Sequence, residues 1–196
     1  MRVEQTERAT ALVRELRAID ARALEIRDTV DRAAFGWVPP EGAWSVGQVF
    51  EHLCIVNDDY LRALRALTEK LPVSASVPAA RLTWRPSFVG GFLARSMVSP
   101  RKLPAPRIWR PGPEPRPNVI EEFLARQREI VGLIERSTGH AWSRMRLASP
   151  VSPLIRMNVG DAFTIMVRHE ERHFRQIDER LAAYAATRRE QAVAAR

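Results

Sequence analysis

The sequence predicts an all-α protein, a four-helix bundle formed as a single domain over residues 1–196, with a long proline-rich insertion between the second and third helices. Two observations carry this prediction. Apolar residues recur every three or four positions along four long segments, the period of an amphipathic helix. No segment shows the strict alternation of a half-buried strand, and no βαβ rhythm or fixed-period repeat runs through the chain. Long helices with short-to-moderate connections favour an antiparallel bundle.

The first helix is predicted over residues 3–33, with Val13, Leu16, Ile19, Ala23 and Ile26 on one face. Gly36 and the paired Pro39 and Pro40 stop it, because neither residue type continues a helix readily. The second is predicted over 45–70. Ser45 followed by Gln48 makes a capping-box pattern, and Val46, Val49, Leu53, Val56, Tyr60, Leu64 and Leu67 form one stripe. Residues 71–117 then carry ten prolines, each of which removes a backbone donor and restrains the residue before it. Within this stretch 88–95 has room for a short helix. A loop of this length in a compact domain is usually functional or mobile. We read it as an ordered lid on the bundle, pinned by Trp84, Phe88, Phe92 and Trp109. The third helix is predicted over 118–137, with Ile120, Phe123, Leu124, Gln127, Ile130, Val131 and Ile134 inward. A loop through Pro150 and Pro153 leads to the fourth helix, predicted over 159–187 with Asn158 or Asp161 near its start.

Composition narrows the classes. No apolar run approaches the roughly 20 residues a bilayer span requires, and the N-terminal segment lacks the apolar core of a signal peptide. The single cysteine, Cys54, has no internal disulfide partner, which fits a reducing cytoplasm. The net charge of +8 suits an anionic partner. No nucleic-acid motif accompanies it, so the arginines are read as solvated helix faces and ion pairs, and nucleic-acid binding is disfavoured.

The four histidines are the informative residues. His169 and His173 are four apart on a predicted helix, which stacks them one turn apart on one face. Ala162, Phe163, Met166 and Ile177 share that stripe, so the pair points inward. His52 lies among Val49, Ile55 and Val56 on the second helix. Three inward imidazoles can hold one divalent ion and leave coordination positions open. His140 falls in a polar helix-ending stretch and reads as a surface residue. A lone histidine on an apolar stripe is more often a hydrogen-bonded core residue; the i, i+4 pair and the third inward histidine shift the balance toward a metal.

Residues 169–173 also match the metalloprotease pattern His-Glu-x-x-His, in which the Glu is general base for a zinc-bound water. The longer metalloprotease pattern asks for Gly and His where this chain has Gln176 and Glu179, and no edge strand precedes the motif. Glu170 is retained as a candidate catalytic base, beside its reading as a solvated or Arg-paired carboxylate. Asp58, Asp59 and Tyr60 follow His52 closely enough to add polar groups, with Asp59 on the His52 side, although caps or internal hydrogen bonds explain them equally well.

The segment Trp44-Ser45-Val46-Gly47-Gln48-Val49-Phe50-Glu51-His52-Leu53 resembles the start of the second helix in the DinB-like (YfiT-like) superfamily. His169 to Ile177, with Gln176 three residues after the second histidine, resembles that superfamily's last-helix motif, and Arg107-Ile108-Trp109-Arg110-Pro111 resembles its lead into the third helix. The resemblance runs in motif order over nearly the whole chain. It implies an up-up-down-down bundle, commonly a homodimer, with a divalent metal on His52, His169 and His173. The proline-rich insertion is less typical of the family. Family members include thiol-dependent S-transferases, a maleylpyruvate isomerase and hydrolases. The implied function is a metal-dependent enzyme acting on a small molecule or with a thiol cofactor; the alternative is a non-catalytic binding or stress-related module whose metal is structural or absent. The imidazole set does not select among Zn, Ni, Fe and Cu; the expected cofactor is a divalent ion, Zn, Ni or Fe.

Overall fold

The computed structural model of the chain describes residues 3–69, 71, 82–99 and 104–195. Four long helices make the bundle: α1 (Gln5–Thr29), α3 (Val46–Thr68), α5 (Val119–Ser137) and α6 (Val159–Ala194). Both α1 and α3 pack against α5 and α6, so the four surround one core. That core is a continuous cluster of buried side chains, including Leu12, Leu16 and Ile26 from α1, Phe50, Leu53 and Leu61 from α3, Phe123 and Ile130 from α5, and Phe163 from α6. Phe50, Phe123 and Phe174 meet with ring centroids 5.5–5.8 Å apart, joining three of the helices.

The predicted helix starts are formed by the predicted chemistry. The Gln48 backbone N–H donates to Ser45 Oγ at 3.2 Å, and the Ser45 N–H donates to Gln48 Oε1 at 3.0 Å. Asn158 and Asp161 share the start of α6 as a second reciprocal box, with contacts of 2.9 and 3.0 Å. Each box satisfies two of the donors that a helix start leaves without partners.

The first helix is not continuous to residue 33. Val30 is extended, and the Asp31 carboxylate accepts the Ala34 N–H at 2.8 Å, so a short helix α2 (Arg32–Gly36) starts afresh. An Asp side chain competes for backbone donors in this way, which is why it favours caps over helix interiors. At the far end α6 runs seven residues past the predicted Thr187, to Ala194, as an exposed extension.

The connection to α6 differs more. The predicted loop through Pro150 and Pro153 is an antiparallel hairpin, β3 (Arg146–Ser149) with β4 (Ser152–Asn158), paired Arg146 to Asn158 and Leu147 to Met157. Leu147 and Met157 face the core while Arg146 and Arg156 face outward. Prolines at the turn and just inside β4 hide this short alternation, because proline normally argues against a strand. A second small pair joins β1 (Val3–Glu4) to β2 (Thr83–Trp84).

Residues 72–81 and 100–103 of the predicted lid lie outside the described residues. Of the rest, α4 (Phe88–Val98) packs on α6 and β4, and a 3-10 turn at Arg107–Trp109 packs on α3. Trp84 and Trp109 are buried and anchor the segment as expected. Phe88 and Phe92 do not: they are 88% and 60% exposed. Trp84 is seated by its indole N–H, which donates to Asn158 Oδ1 at 2.8 Å. Its ring lies so close to Gly160 that a Cβ there would stand 2.3 Å from the indole nitrogen. Gly160→Ala is therefore expected to destabilise the protein by about 1–3 kcal/mol, the usual range for overpacking. A urea midpoint lowered at unchanged slope checks this.

Candidate metal centre

His52 is on α3; His169 and His173 are one turn apart on α6. The packing of these helices brings their rings together, with centroids 4.5–5.1 Å apart. His169 Nε2 stands 3.2 Å from His52 Nε2 and 3.1 Å from His173 Nε2. Among the described residues this is the only group of three or more His, Cys, Asp or Glu side chains arranged to share an ion.

One further contact fixes the proton positions. His52 Nδ1 lies 2.7 Å from the Trp109 carbonyl oxygen, which can only accept, so Nδ1 carries the hydrogen. His52 Nε2 then turns a lone pair toward His169. His169 Nε2 has two neighbours and at most one proton. If it donates to His52, it has no lone pair for His173. If it accepts from His173, it faces His52 lone pair to lone pair. With neutral tautomers, one His169 N–H can at best be divided between two lone pairs, so the two contacts cannot both be full hydrogen bonds. The three nitrogens are close enough together that one cation could be shared among them. Two ligands each about 2.0–2.1 Å from one ion lie about 2.9–3.4 Å apart, and the two separations here fall inside that interval.

The electrostatics agree. Burial lowers the His52 pKa, against the opposing pull of the Trp109 carbonyl. Burial, followed by repulsion from its neighbours His173, His52 and Arg172, holds His169 well below the ordinary imidazole value. His173 is pushed down to about 3, by burial first and His52 second, with Gln176 opposing. All three are neutral at pH 7, the state in which imidazole ligates. His52 is 1% exposed and His173 8%. His169 is partly exposed, although its Nδ1 is shielded.

The elements around His52 hold it in place. The Trp44 ring lies 4.9 Å from its ring, centroid to centroid. The Trp109 indole N–H donates to Asp59 Oδ2 at 2.8 Å, so Asp59 fixes the residue whose carbonyl orients His52. Gln48, besides capping α3, donates to the carbonyls of Gly112 and Pro113 and ties down the same segment. Asp59, expected near the histidines, thus acts one residue removed from them. Asp58 instead pairs with Arg126 through two contacts of 2.7 and 2.8 Å. Tyr60 is buried in the core, and burial pushes its hydroxyl to about 12. His140 is half-buried, and its carbonyl accepts from Gln5 Nε2.

Glu170 is neither solvated nor Arg-paired. It is fully buried, and its Oε1 accepts from Asn57 Nδ2 at 2.8 Å. Burial raises its pKa to about 8, against the lowering effects of Asn57 and Gln127. One residue along a helix is a rotation of about 100°, so Glu170 leaves His169's face and enters a polar layer. Asp20 of α1, Asn57 of α3 and Gln127 of α5 complete that layer, one residue from each bundle helix. Sequence reading missed Asn57 and the Trp109 carbonyl. A backbone acceptor leaves no residue signal, and Asn57 shows its role only once α3 faces α6.

The bundle and its histidine cluster define a class of helical proteins with a site compatible with a metal ion. The chain matches the DinB superfamily over residues 11–177, a span that includes all three histidines, and it belongs to that superfamily. No curated protein and no solved structure matches it. No described helix is long and apolar enough to cross a membrane.

Proposed function

We propose that His52, His169 and His173 hold one divalent ion, Zn, Ni or Fe, through their Nε2 atoms, and that the protein is a metal-dependent enzyme acting on a small molecule. The observation that carries this is the position of His169 Nε2 between two other ring nitrogens, where neutral tautomers leave at most one N–H for two contacts. Bound there, such an ion would lower the pKa of a coordinated water or thiol, chemistry that suits a hydrolase or a thiol S-transferase. The chain's own part is to keep three imidazoles neutral and to orient His52 through the Trp109 carbonyl. The reading places the protein in the cytoplasm as a homodimer, which light scattering checks as twice the 22.3 kDa chain mass.

Elemental analysis of protein purified without a metal-affinity tag tests the site. About one ion per chain in the wild type, lost in His169→Ala, supports it; no ion in either after reconstitution removes it. Asp59→Ala frees the Trp109 indole and is expected to weaken metal affinity about tenfold, as loss of an outer-shell partner typically does. Competition with a chelator measures that change. Glu170 stands as the candidate acid–base group by its place in the His-Glu-x-x-His pattern, against its burial in the polar layer beside Asn57. Glu170→Gln should then keep the metal and lose turnover. Unchanged turnover assigns Glu170 to the polar layer alone.

A further inference from the structure

Most arginines buried in part against the bundle have acidic partners. Arg126 meets Asp58, Arg8 meets Glu15, and Arg168 meets both Glu15 and Glu171. Arg85, Arg146 and Arg156 are exposed, and what sets them apart is that they converge. They form no ion pair among the described residues, yet they line one cleft of about 550 Å3 together with Ser87, Ser143 and Phe88.

The hairpin register creates the convergence. Arg146 is paired with Asn158 and Ala148 with Arg156, so Arg146 and Arg156 are diagonal neighbours on the outward face. Such neighbours lie about 7–8 Å apart at the backbone, within reach of long side chains. Arg85 is fixed beside them from both sides of its backbone. Its N–H donates to Ser143 Oγ at 3.4 Å, and its carbonyl accepts from Asn158 Nδ2 at 3.2 Å. Like charges gathered on one face repel unless an anion lies between them. The acid at the base of this region is Asp161, which feels Arg146 electrostatically but spends its oxygens on the backbone N–H groups of Ser87 and Asn158. Three guanidinium groups and one carboxylate leave the cleft with two positive charges in excess.

We propose that this cleft binds a phosphate group, as a phosphomonoester or a lipid headgroup. Guanidinium forks match phosphate oxygens in pairs, and the excess charge matches a phosphate dianion better than a single carboxylate. The Ser143 hydroxyl adds a neutral partner. Phe88 at the rim and Leu154 on the same hairpin face, 88% and 91% exposed, offer an apolar surface to whatever the phosphate is attached to. The site is separate from the histidine cluster: Asn158 and His169 are eleven residues apart in sequence, or about 16 Å along α6. It does not depend on the metal reading.

Titration of the 15N-labelled protein with inorganic phosphate at constant ionic strength, with chloride as the control, tests it. Saturable shifts confined to the amides of Arg85, Ser87, Ser143, Arg146 and Arg156 are expected. Arg146→Ala and Arg156→Ala should each weaken binding about tenfold or more, while Arg189→Ala leaves it unchanged. Both replaced side chains are exposed, and an unaltered circular-dichroism melt shows that the fold is intact. Glycerol 1-phosphate and phosphatidic acid vesicles separate the two sources. Arginine-dependent binding of the first identifies a free ester, and of the second a headgroup. Linear shifts spread over the whole basic surface, or equal shifts in chloride, overturn the proposal, as does arginine-independent binding of both probes.

Discussion

Replacing His169 with alanine is expected to abolish metal-dependent stabilisation of the protein. His169 Nε2 is the shared neighbour of the other two ring nitrogens, so its loss leaves His52 and His173 without a third ligand. An ion that binds only the folded state stabilises it by about 4 kcal/mol when present at 1,000 times its dissociation constant. For a chain of this size each kcal/mol moves the midpoint by about 2–4 °C. Zinc should therefore raise the melting temperature of the chelator-treated wild type by roughly 10 °C and that of His169→Ala hardly at all. The chelator-treated variant should lose less stability than an ordinary core truncation, because it also removes the lone-pair conflict. Equal zinc shifts in the two proteins would place the ion elsewhere.

The second large effect is on pH dependence in the metal-free protein. Glu170 has a folded pKa raised from 4.5 to about 8 by burial. A carboxyl raised in this way favours the folded state fully below its unfolded pKa, and the benefit is lost as pH rises toward the folded pKa. Glu170's own contribution to stability should thus be lost between pH 4.5 and 8. Glu170→Gln keeps an oxygen for Asn57 and removes the titration. It should be near neutral at pH 5 and stabilising by a few kcal/mol at pH 8. His173 acts with the opposite sign. Its folded pKa is depressed from 6.5 to about 3, so the stability tied to its neutral form is present above pH 6.5 and drains as pH falls. Urea unfolding of the wild type and Glu170→Gln at pH 5, 6.5 and 8 with chelator present isolates the carboxyl, because the depressed histidines are common to both proteins. A Glu170→Gln effect of the same size at every pH would mean that Glu170 is not held protonated.

These effects follow from contacts the sequence displays unevenly. The four helices were legible because their apolar stripes are long, and their starts were legible because Ser45 with Gln48 and Asn158 with Asp161 are local signals. The histidines were legible for a related reason: His169 and His173 share a helix face by arithmetic, and His52 follows a recognisable helix start. The hairpin was not legible, since Pro150 and Pro153 interrupt a short alternation that only the burial of Leu147 and Met157 makes meaningful. Nor was the break at Asp31, where one side chain outcompetes the helix. The surroundings of the site depended on tertiary packing. The Trp109 carbonyl, the Asp59 contact behind it and the Asn57 partner of Glu170 join residues 50 to 113 positions apart, beyond the reach of any spacing rule.

The measurement closest to the central claim is X-ray absorption on the protein loaded with one equivalent of zinc. Three imidazoles sharing the ion predict three nitrogen scatterers at about 2.0–2.1 Å with the outer-shell pattern of imidazole rings. The count should fall to two in His52→Ala. A first shell with fewer than two imidazoles, or a spectrum that His52→Ala leaves unchanged, would contradict the three-histidine centre.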